Sequence, residues 1–425
     1  MTPLNTDGPR PAYPIGVDGP RPAPQPQGRH AHPTRPATLD RIGEADFHRA
    51  MLCQNIGDWR HEAVPRGPSI WVAGCGPSQA VSTALCFPTA AVLGSDPSAA
   101  SLDLSAQAAG DVGVSNLSLR QEDVTHVAYR NQFDYILCAG PLHHADPALP
   151  LRRLAEALKP GGLLELMVHN RFHGFMASTF QQAVRILGGT HEDPGGNLEM
   201  TLAKLLVAHF PVECLMKDFL TQHPDVSTAG PADVYLSPIE HTFTVQSLCD
   251  LAAACDLEIL SPGVHTIDRL HGGVVWNLCF ESPALQQRYY ELDDLQRWQV
   301  TNLLLGERSP MLWFYLRRAG APARRRSERE ICEAFLETPF VPTSVARQQF
   351  VLGFDGRYRA AAATPYPDAV RDRTLRAVVD EAEEDTPVGE LLQRHGYSMS
   401  FPDVNEARLR LTTTAFPHLK AAPRN

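Results

Sequence analysis

The stretch Ser69-Ile70-Trp71-Val72-Ala73-Gly74-Cys75-Gly76-Pro77-Ser78 decides the reading of this chain. Its first five residues predict a buried strand, and a glycine-rich turn follows at once. Glycine there permits a tight reversal and lets a ligand approach the backbone closely. The helix expected next, running to about Phe87, would aim its first N–H groups at that ligand. Outward from this unit, apolar strands are expected at Ala90–Ser95, Leu117–Gln121, Phe133–Ala139 and Leu163–Val168, alternating with helical patterns. Such alternation argues for a parallel sheet with helices on both faces. The helix before Leu158 is well signalled: Asp146 as N-cap, Pro147 at the first position, and Leu151, Leu154 and Leu158 on one face. Lys159-Pro160-Gly161-Gly162 is expected to stop it.

Two carboxylates fall where such a sheet binds ligands, at the C-terminal ends of strands. Asp96 ends the second strand, 20 residues after Gly76. A carboxylate at that place accepts hydrogen bonds from both hydroxyls of a ribose, or else caps a helix or turn. Asp123 ends the third strand and suits an adenine amino group, directly or through water.

Composition narrows the partners. The 425 residues carry 38 Lys and Arg against 48 Asp and Glu, a net charge of -10. An acidic chain has no general attraction for phosphate backbones or anionic lipid, so neither nucleic acid nor membrane is expected as a partner. The nine cysteines include no C-x-x-C pair. Free thiols in a reducing compartment are expected, without a disulfide framework or zinc site. No apolar run reaches the ~18 residues of a membrane span. There is no secretory signal pattern either, so a cytoplasmic location is expected.

Residues 1–37 hold ten prolines and a repeated Asp-Gly-Pro-Arg-Pro-Ala, at Asp7–Ala12 and Asp18–Ala23, and read as a disordered tail. Residues 38–320 read as the main α/β domain. Within it, Asn170–His241 is a long, mostly helical insertion. The α/β rhythm returns with a helix at Val245–Cys255 and a strand at Leu257–Leu260. A second insertion, Ser261–Pro310, carries the helical stretch Asp293–Leu305, and Met311–Leu316 is the last strand. Ala319–Arg326, with three successive arginines, reads as a linker. Residues 327–425 then form a small C-terminal α+β domain, with helices at Glu328–Leu336 and Ala369–Ala382 and a strand at Phe350–Phe354. A winged-helix-like or oligomerisation module is expected there, and a homo-oligomer through it.

Six motifs in order, Val72-Ala73-Gly74-Cys75-Gly76, Asp96-Pro97-Ser98, Asp123, Phe133-Asp134-Tyr135, Leu142-His143-His144-Ala145-Asp146-Pro147 and Leu158-Lys159-Pro160-Gly161-Gly162, resemble those of class I S-adenosylmethionine (SAM)-dependent methyltransferases. The likeness covers roughly Gln54–Val168 and extends more weakly to Thr242–Leu260 and Met311–Arg318. It implies a seven-stranded, mostly parallel Rossmann-like sheet with its last strand antiparallel, and SAM as cofactor. It also implies that Gly74, Cys75 and Gly76 contact the methionine part, that Asp96 with Pro97 holds the ribose, and that Asp123 with Val124 and Ala139 borders the adenine and the rest of the cofactor. Two positions depart from the family. Ser78 replaces a third glycine, and Ala73 stands where many relatives carry an acid.

Methyl transfer requires alignment, exclusion of water and, for a hydroxyl or protonated amine, a base. His143 and His144 follow the fourth strand and His169 the fifth, so these are the candidate bases. Arg171 and His173 face the same region as candidate acceptor-binding residues. His143, His144 and Asp146 lack the spacing of a metal site, so no metal is expected. Trp59 is expected on an N-terminal helix closing over the cofactor, and Phe172, Phe175 and Phe180 either line the pocket or form ordinary core. The expected activity is methylation of a small-molecule acceptor, in specialised metabolite biosynthesis. The alternatives are a protein or peptide methyltransferase and a non-catalytic binding or regulatory protein on the same fold.

Overall fold

The computed structural model describes residues 35–143, 146–188, 197–210, 212–222, 241–264, 276–306, 311–321 and 324–423. In chain order the elements are β1 (Thr38–Ile42), α1 (Phe47–Asn55), β2 (Ser69–Ala73), α2 (Gln79–Cys86), β3 (Ala91–Asp96), α3 (Ala99–Val112), β4 (Leu117–Gln121) and β5 (Phe133–Ala139). They continue with α4 (Ala148–Ala157), β6 (Leu158–His169), α5 (Arg171–Gly188), α6 (Asn197–His209), α7 (Leu215–Gln222), α8 (Val245–Ala254), β7 (Leu257–Pro262), α9 (Pro283–Glu291), α10 (Asp294–Leu305) and β8 (Met311–Arg318). The C-terminal part holds α11 (Glu328–Leu336), β9 (Phe340–Pro342), β10 (Val345–Leu352), β11 (Tyr358–Ala360), β12 (Thr364–Tyr366), α12 (Arg373–Glu381), α13 (Val388–Arg394), α14 (Phe401–Thr412) and β13 (Leu419–Ala421).

Seven strands form the central sheet in the order β4-β3-β2-β5-β6-β8-β7. All run parallel except β8, which is antiparallel to both its neighbours. Side chains alternate between the two faces, as strand geometry requires. Trp71, Ile136, Leu164, Leu166 and Phe314 pack on one face with α4, α8 and α10. Ile70, Val72, Tyr135, Leu163 and Tyr315 pack on the other with α1 and α2. The helix α4 begins one residue later than expected: Pro147 is its N-cap and Ala148 its first residue. Asp146, one place before the cap, accepts from the Ala148 N–H through Oδ1 at 3.0 Å, because proline has no N–H of its own to offer. The helix ends at Ala157 and Leu158 is its C-cap, as the sequence implies. Leu158 is also the first residue of β6, paired with Phe133, and the register then slips before Tyr135 pairs with Leu163. Lys159 at this slip binds Asp134 at 2.8 Å, so the Lys-Pro-Gly-Gly segment starts the strand as well as stopping the helix.

The two insertions differ in kind. The first is rooted at a narrow neck, where Phe243 N–H donates to His169 O (2.8 Å) and Arg171 N–H donates to Phe243 O (2.9 Å). Its helices α5–α7 carry a small core of their own around Phe180, Val184, Ala203 and Leu220. The second belongs to the main core. Trp276 and Trp298 stack near Phe314 of β8, with centroids 5.1 and 5.8 Å away, so α10 covers the sheet. The C-terminal region is also joined to the start of the chain. β1 pairs with β10 along its whole length, and α1 is tied to the far terminus by Gln54, whose amide donates to Thr412 O and Leu419 O, each at 3.0 Å.

Candidate active site

The turn after β2 is shaped by its two glycines. Both lie at positive φ, +67° for Gly74 and +54° for Gly76. A Cβ on Gly74 would stand 2.4 Å from Pro141 Cγ, because the segment after β5 closes over the turn. A Cβ on Gly76 would meet nothing within 4 Å, so this backbone borders open space where a ligand can lie against it. Cys75 between them is buried, and burial pushes its thiol up to about 12. Its place is structural: the Cys75 N–H donates to Ser95 O at 2.9 Å and ties the turn to β3.

Asp96 holds this turn from the neighbouring strand. Its Oδ2 accepts from the Gly76 N–H and its Oδ1 from the Ser98 N–H, both at 2.9 Å. Each carboxylate oxygen keeps a second acceptor direction for a ribose hydroxyl. Pro97 is exposed beside it, and its carbonyl accepts from Gln121 at 3.1 Å. Asp123 commits one oxygen to its own turn, since Oδ1 accepts from the Thr125 N–H and hydroxyl at 2.8 and 2.7 Å. Val124 next to it is buried, and Ala139 sits half-buried at the end of β5. Gly74, Gly76, Asp96, Asp123 and Ala139 therefore gather along the C-terminal edge of β2, β3, β4 and β5. The open space at Gly76 and the carboxylate of Asp96 fit a nucleoside whose chain lies on the turn.

Ser78 lies at φ −153°, so the turn does not call for a third glycine. Ala73 is fully buried in the core below the turn. His143 belongs to a short helical turn at Pro141–His143. Its side chain, and His144 altogether, lie outside the described residues. His169 ends β6 at the same edge of the sheet, half-buried, with its carbonyl in the neck of the first insertion. Arg171 is exposed and donates to Thr242 O at 3.3 Å, across the neck of the first insertion. His173 is exposed on the first turn of α5. Phe180 is core of the insertion and Phe175 stands exposed on it.

Trp59 does not close over the cofactor edge. It is buried against Phe335 and Phe340 of the C-terminal region, with centroids 5.7 and 5.5 Å away. Sequence reasoning also missed two polar groups. Asn170 is buried beside His169, donates to Gly306 O at 2.9 Å and accepts from Asn302 at 3.2 Å, locking the end of β6 to α10. Glu165 is buried in the middle of β6, within the apolar run Leu163–Val168. A lone acid in a central strand was the available signal. Among the described residues, no group of three or more His, Cys, Asp or Glu side chains could hold a metal ion, and no helix is long and apolar enough to cross a membrane.

Residues 70–162 match a family model described as a methyltransferase domain. The chain is similar in fold to PKMT2 from Rickettsia typhi in complex with AdoHcy, with a TM-score of 0.54 and 14% identity over 89% of this chain and 76% of that one. A second structure of the same protein gives 0.54 and 14% over 88% and 74%. An uncharacterized protein of Synechococcus is 27% identical over 247 residues, 56% of this chain. The chain spans 57% of that relative's length. Residues 70–162 thus resemble a methyltransferase domain; they span β2 to β5 and the start of β6, and the seven-stranded, mostly parallel Rossmann-like sheet is completed beyond them by the rest of β6 with β8 and β7.

Proposed function

We propose that the protein is a SAM-dependent methyltransferase and that its acceptor is a small molecule. The observation that supports this reading is the pairing of the Gly74–Gly76 turn with Asp96, whose carboxylate fixes the turn beside open space at Gly76. SAM supplies an activated methyl group on a sulfonium. The chain's own part is to bind, align and dry the reactants. Asp96 takes the ribose hydroxyls, the positive-φ backbone at Gly76 lies against the methionine part, and Asp123 and Val124 border the adenine. Pro141, pressed onto Gly74, limits water from the β5 side. His169, His143 and His144 are the proposed bases; one of them would accept a proton from the acceptor, which is worth about 10²–10⁴-fold in rate.

A polypeptide acceptor is the second reading. It is favoured by exposed apolar side chains on and beside the insertion helices, among them Phe175, Ile186, Leu205 and Leu215. The PKMT2 structure is a complex with AdoHcy, and that molecule is the probe for this chain. Calorimetry with AdoHcy should give saturable binding. Asp96→Ala, folded by circular dichroism, should weaken it about 10- to 100-fold, as expected for charge-assisted bonds worth roughly 1.5–3 kcal/mol. No binding to the parent protein, or an unchanged Kd in the variant, would overturn the assignment. Radiolabelled methyl transfer to metabolite fractions against protein fractions then separates the two acceptor classes.

A further inference from the structure

Glu165 is a buried acid with no cation of its own. It is 8% exposed in the middle of the central sheet, and among the described residues no Lys, Arg or His pairs with it. Three donors converge on it instead. Trp313 Nε1 donates to Oε1 at 2.5 Å and the Tyr135 hydroxyl to Oε2 at 2.6 Å. The Tyr315 hydroxyl adds a third bond. An ionised carboxylate has about four acceptor sites, so one site remains for a further N–H.

A cleft of about 210 Å³ opens beside that carboxylate. Trp313 and Tyr315 present aromatic surface to it, and Val264 and Ala415 close it with aliphatic surface. The walls are fixed. Gly263 leaves room for the indole, since a Cβ there would stand 2.8 Å from Trp313 Cδ1. Asn55 Nδ2 donates to the Tyr315 hydroxyl at 2.7 Å and Asn55 Oδ1 accepts from the Thr414 N–H at 2.9 Å, which pins the C-terminal wall to the sheet. The cleft lies close to the cofactor edge. Glu165 pairs with Leu137, and Leu137 with Val72, so the acid is level with the residue two before Gly74 and two strands away, roughly 10 Å across the sheet.

We infer that this cleft binds an alkylammonium group. A buried carboxylate at the end of an aromatic and aliphatic slot complements a positive nitrogen on an apolar stem. The carboxylate takes the charge, and the stem lies on Val264, Ala415 and the aromatic walls. A carboxylate ligand meets like charge at Glu165, and an alcohol gains no charge pairing. At ~30 Å³ per water the slot holds about seven waters, enough for a stem of a few methylenes. The assignment stands apart from the methyltransferase reading, because binding an amine here needs no cofactor.

The test is calorimetry with n-butylammonium chloride, with n-butanol and sodium butyrate as controls, on the full chain without SAM. The parent protein should bind n-butylammonium saturably in the millimolar range and neither control. Glu165→Gln should weaken that binding at least tenfold. Ala415→Leu, which fills the slot and leaves the acid in place, should abolish it with the circular dichroism spectrum unchanged. It decides the matter if Glu165→Gln does not fold. Asp96→Ala should bind AdoHcy about 10- to 100-fold more weakly and keep the amine, so failure here is distinguishable from failure of the cofactor assignment. No saturable binding of n-butylammonium to the parent, equal binding to butanol, or undiminished binding in Ala415→Leu would each overturn the inference.

Discussion

Gly74 and Gly76 look alike in the sequence, but the structure constrains them differently. Gly74 needs both its positive φ and its missing Cβ, with Pro141 at 2.4 Å, whereas Gly76 needs only its φ. Gly74→Ala should therefore cost more stability in urea unfolding than Gly76→Ala, for which the left-handed backbone alone costs about 1–2 kcal/mol. Equal losses would mean that the Pro141 segment yields freely. Glu165 gives a pH test of the same scale. Burial is the largest influence on its carboxyl and raises it above the ordinary 4.5, while its three donors pull it back. The native state then holds that proton more tightly than the unfolded chain. The stabilising contribution is full below about 4.5 and is lost as pH rises through the native value. Glu165→Gln removes it. The parent's stability relative to this variant should fall between acid pH and neutrality in urea titrations. A constant difference would show that Glu165 does not titrate there. The turn and Asp96 were legible in sequence because their spacing is local to one β-α-β unit. The surroundings of Glu165 were not, since Tyr135, Trp313 and Tyr315 come from two other strands, one of them about 150 residues downstream.

Some elements were readable to the residue, while others were displaced: the strand expected at Phe350–Phe354 is β10, Val345–Leu352, and the helix expected at Ala369–Ala382 is α12, Arg373–Glu381. β2, β4, β5 and α11 have the bounds the sequence implies, because turn residues punctuate them. The connection from Ala319 to Arg326 was misread for a physical reason: its arginines look solvated until their partners are known. Arg325 binds Asp294 of α10 at 2.7 Å and Arg326 donates to Gly57 O. Asp294 in turn binds Arg297, which binds Glu328 of α11 at 2.7 Å, with Asp294, Arg297 and Glu328 all buried. This chain of charges fastens α10 to α11 and makes the connection a clamp. Removing one member leaves another charge buried and unpaired. Glu328→Gln should thus destabilise the protein by about 3–5 kcal/mol, measured by urea denaturation. A loss below ~1 kcal/mol would place the cluster among ion pairs that solvent already compensates.

At the scale of the whole molecule, the boundary suggested by composition near residue 320 does not separate two packing units. The sheet of the C-terminal region begins with β1, and its helical core takes Trp59 from before β2. Gln54 spans the same junction, with its amide on Thr412 and Leu419 and its carbonyl oxygen accepting from the Ala421 N–H at 2.8 Å. Pairings this distant in sequence leave no local trace, and periodicity reports only which face of an element is apolar, not what covers it. Residues 327–425 therefore act as part of the wall behind the cofactor sheet. Ending the chain at residue 320 would strip β10 from β1, expose Trp59, and leave the Gln54 side chain and the Asp294–Arg297 pair buried without their partners. The expected result is a truncated protein that is aggregated or unfolded, seen by size-exclusion chromatography and circular dichroism, with AdoHcy binding lost along with the fold. A monodisperse truncation that melts near the parent's temperature and still binds AdoHcy would instead show that the 38–320 portion closes on its own, and that the long-range pairings through β1, Gln54 and Trp59 add little to its stability.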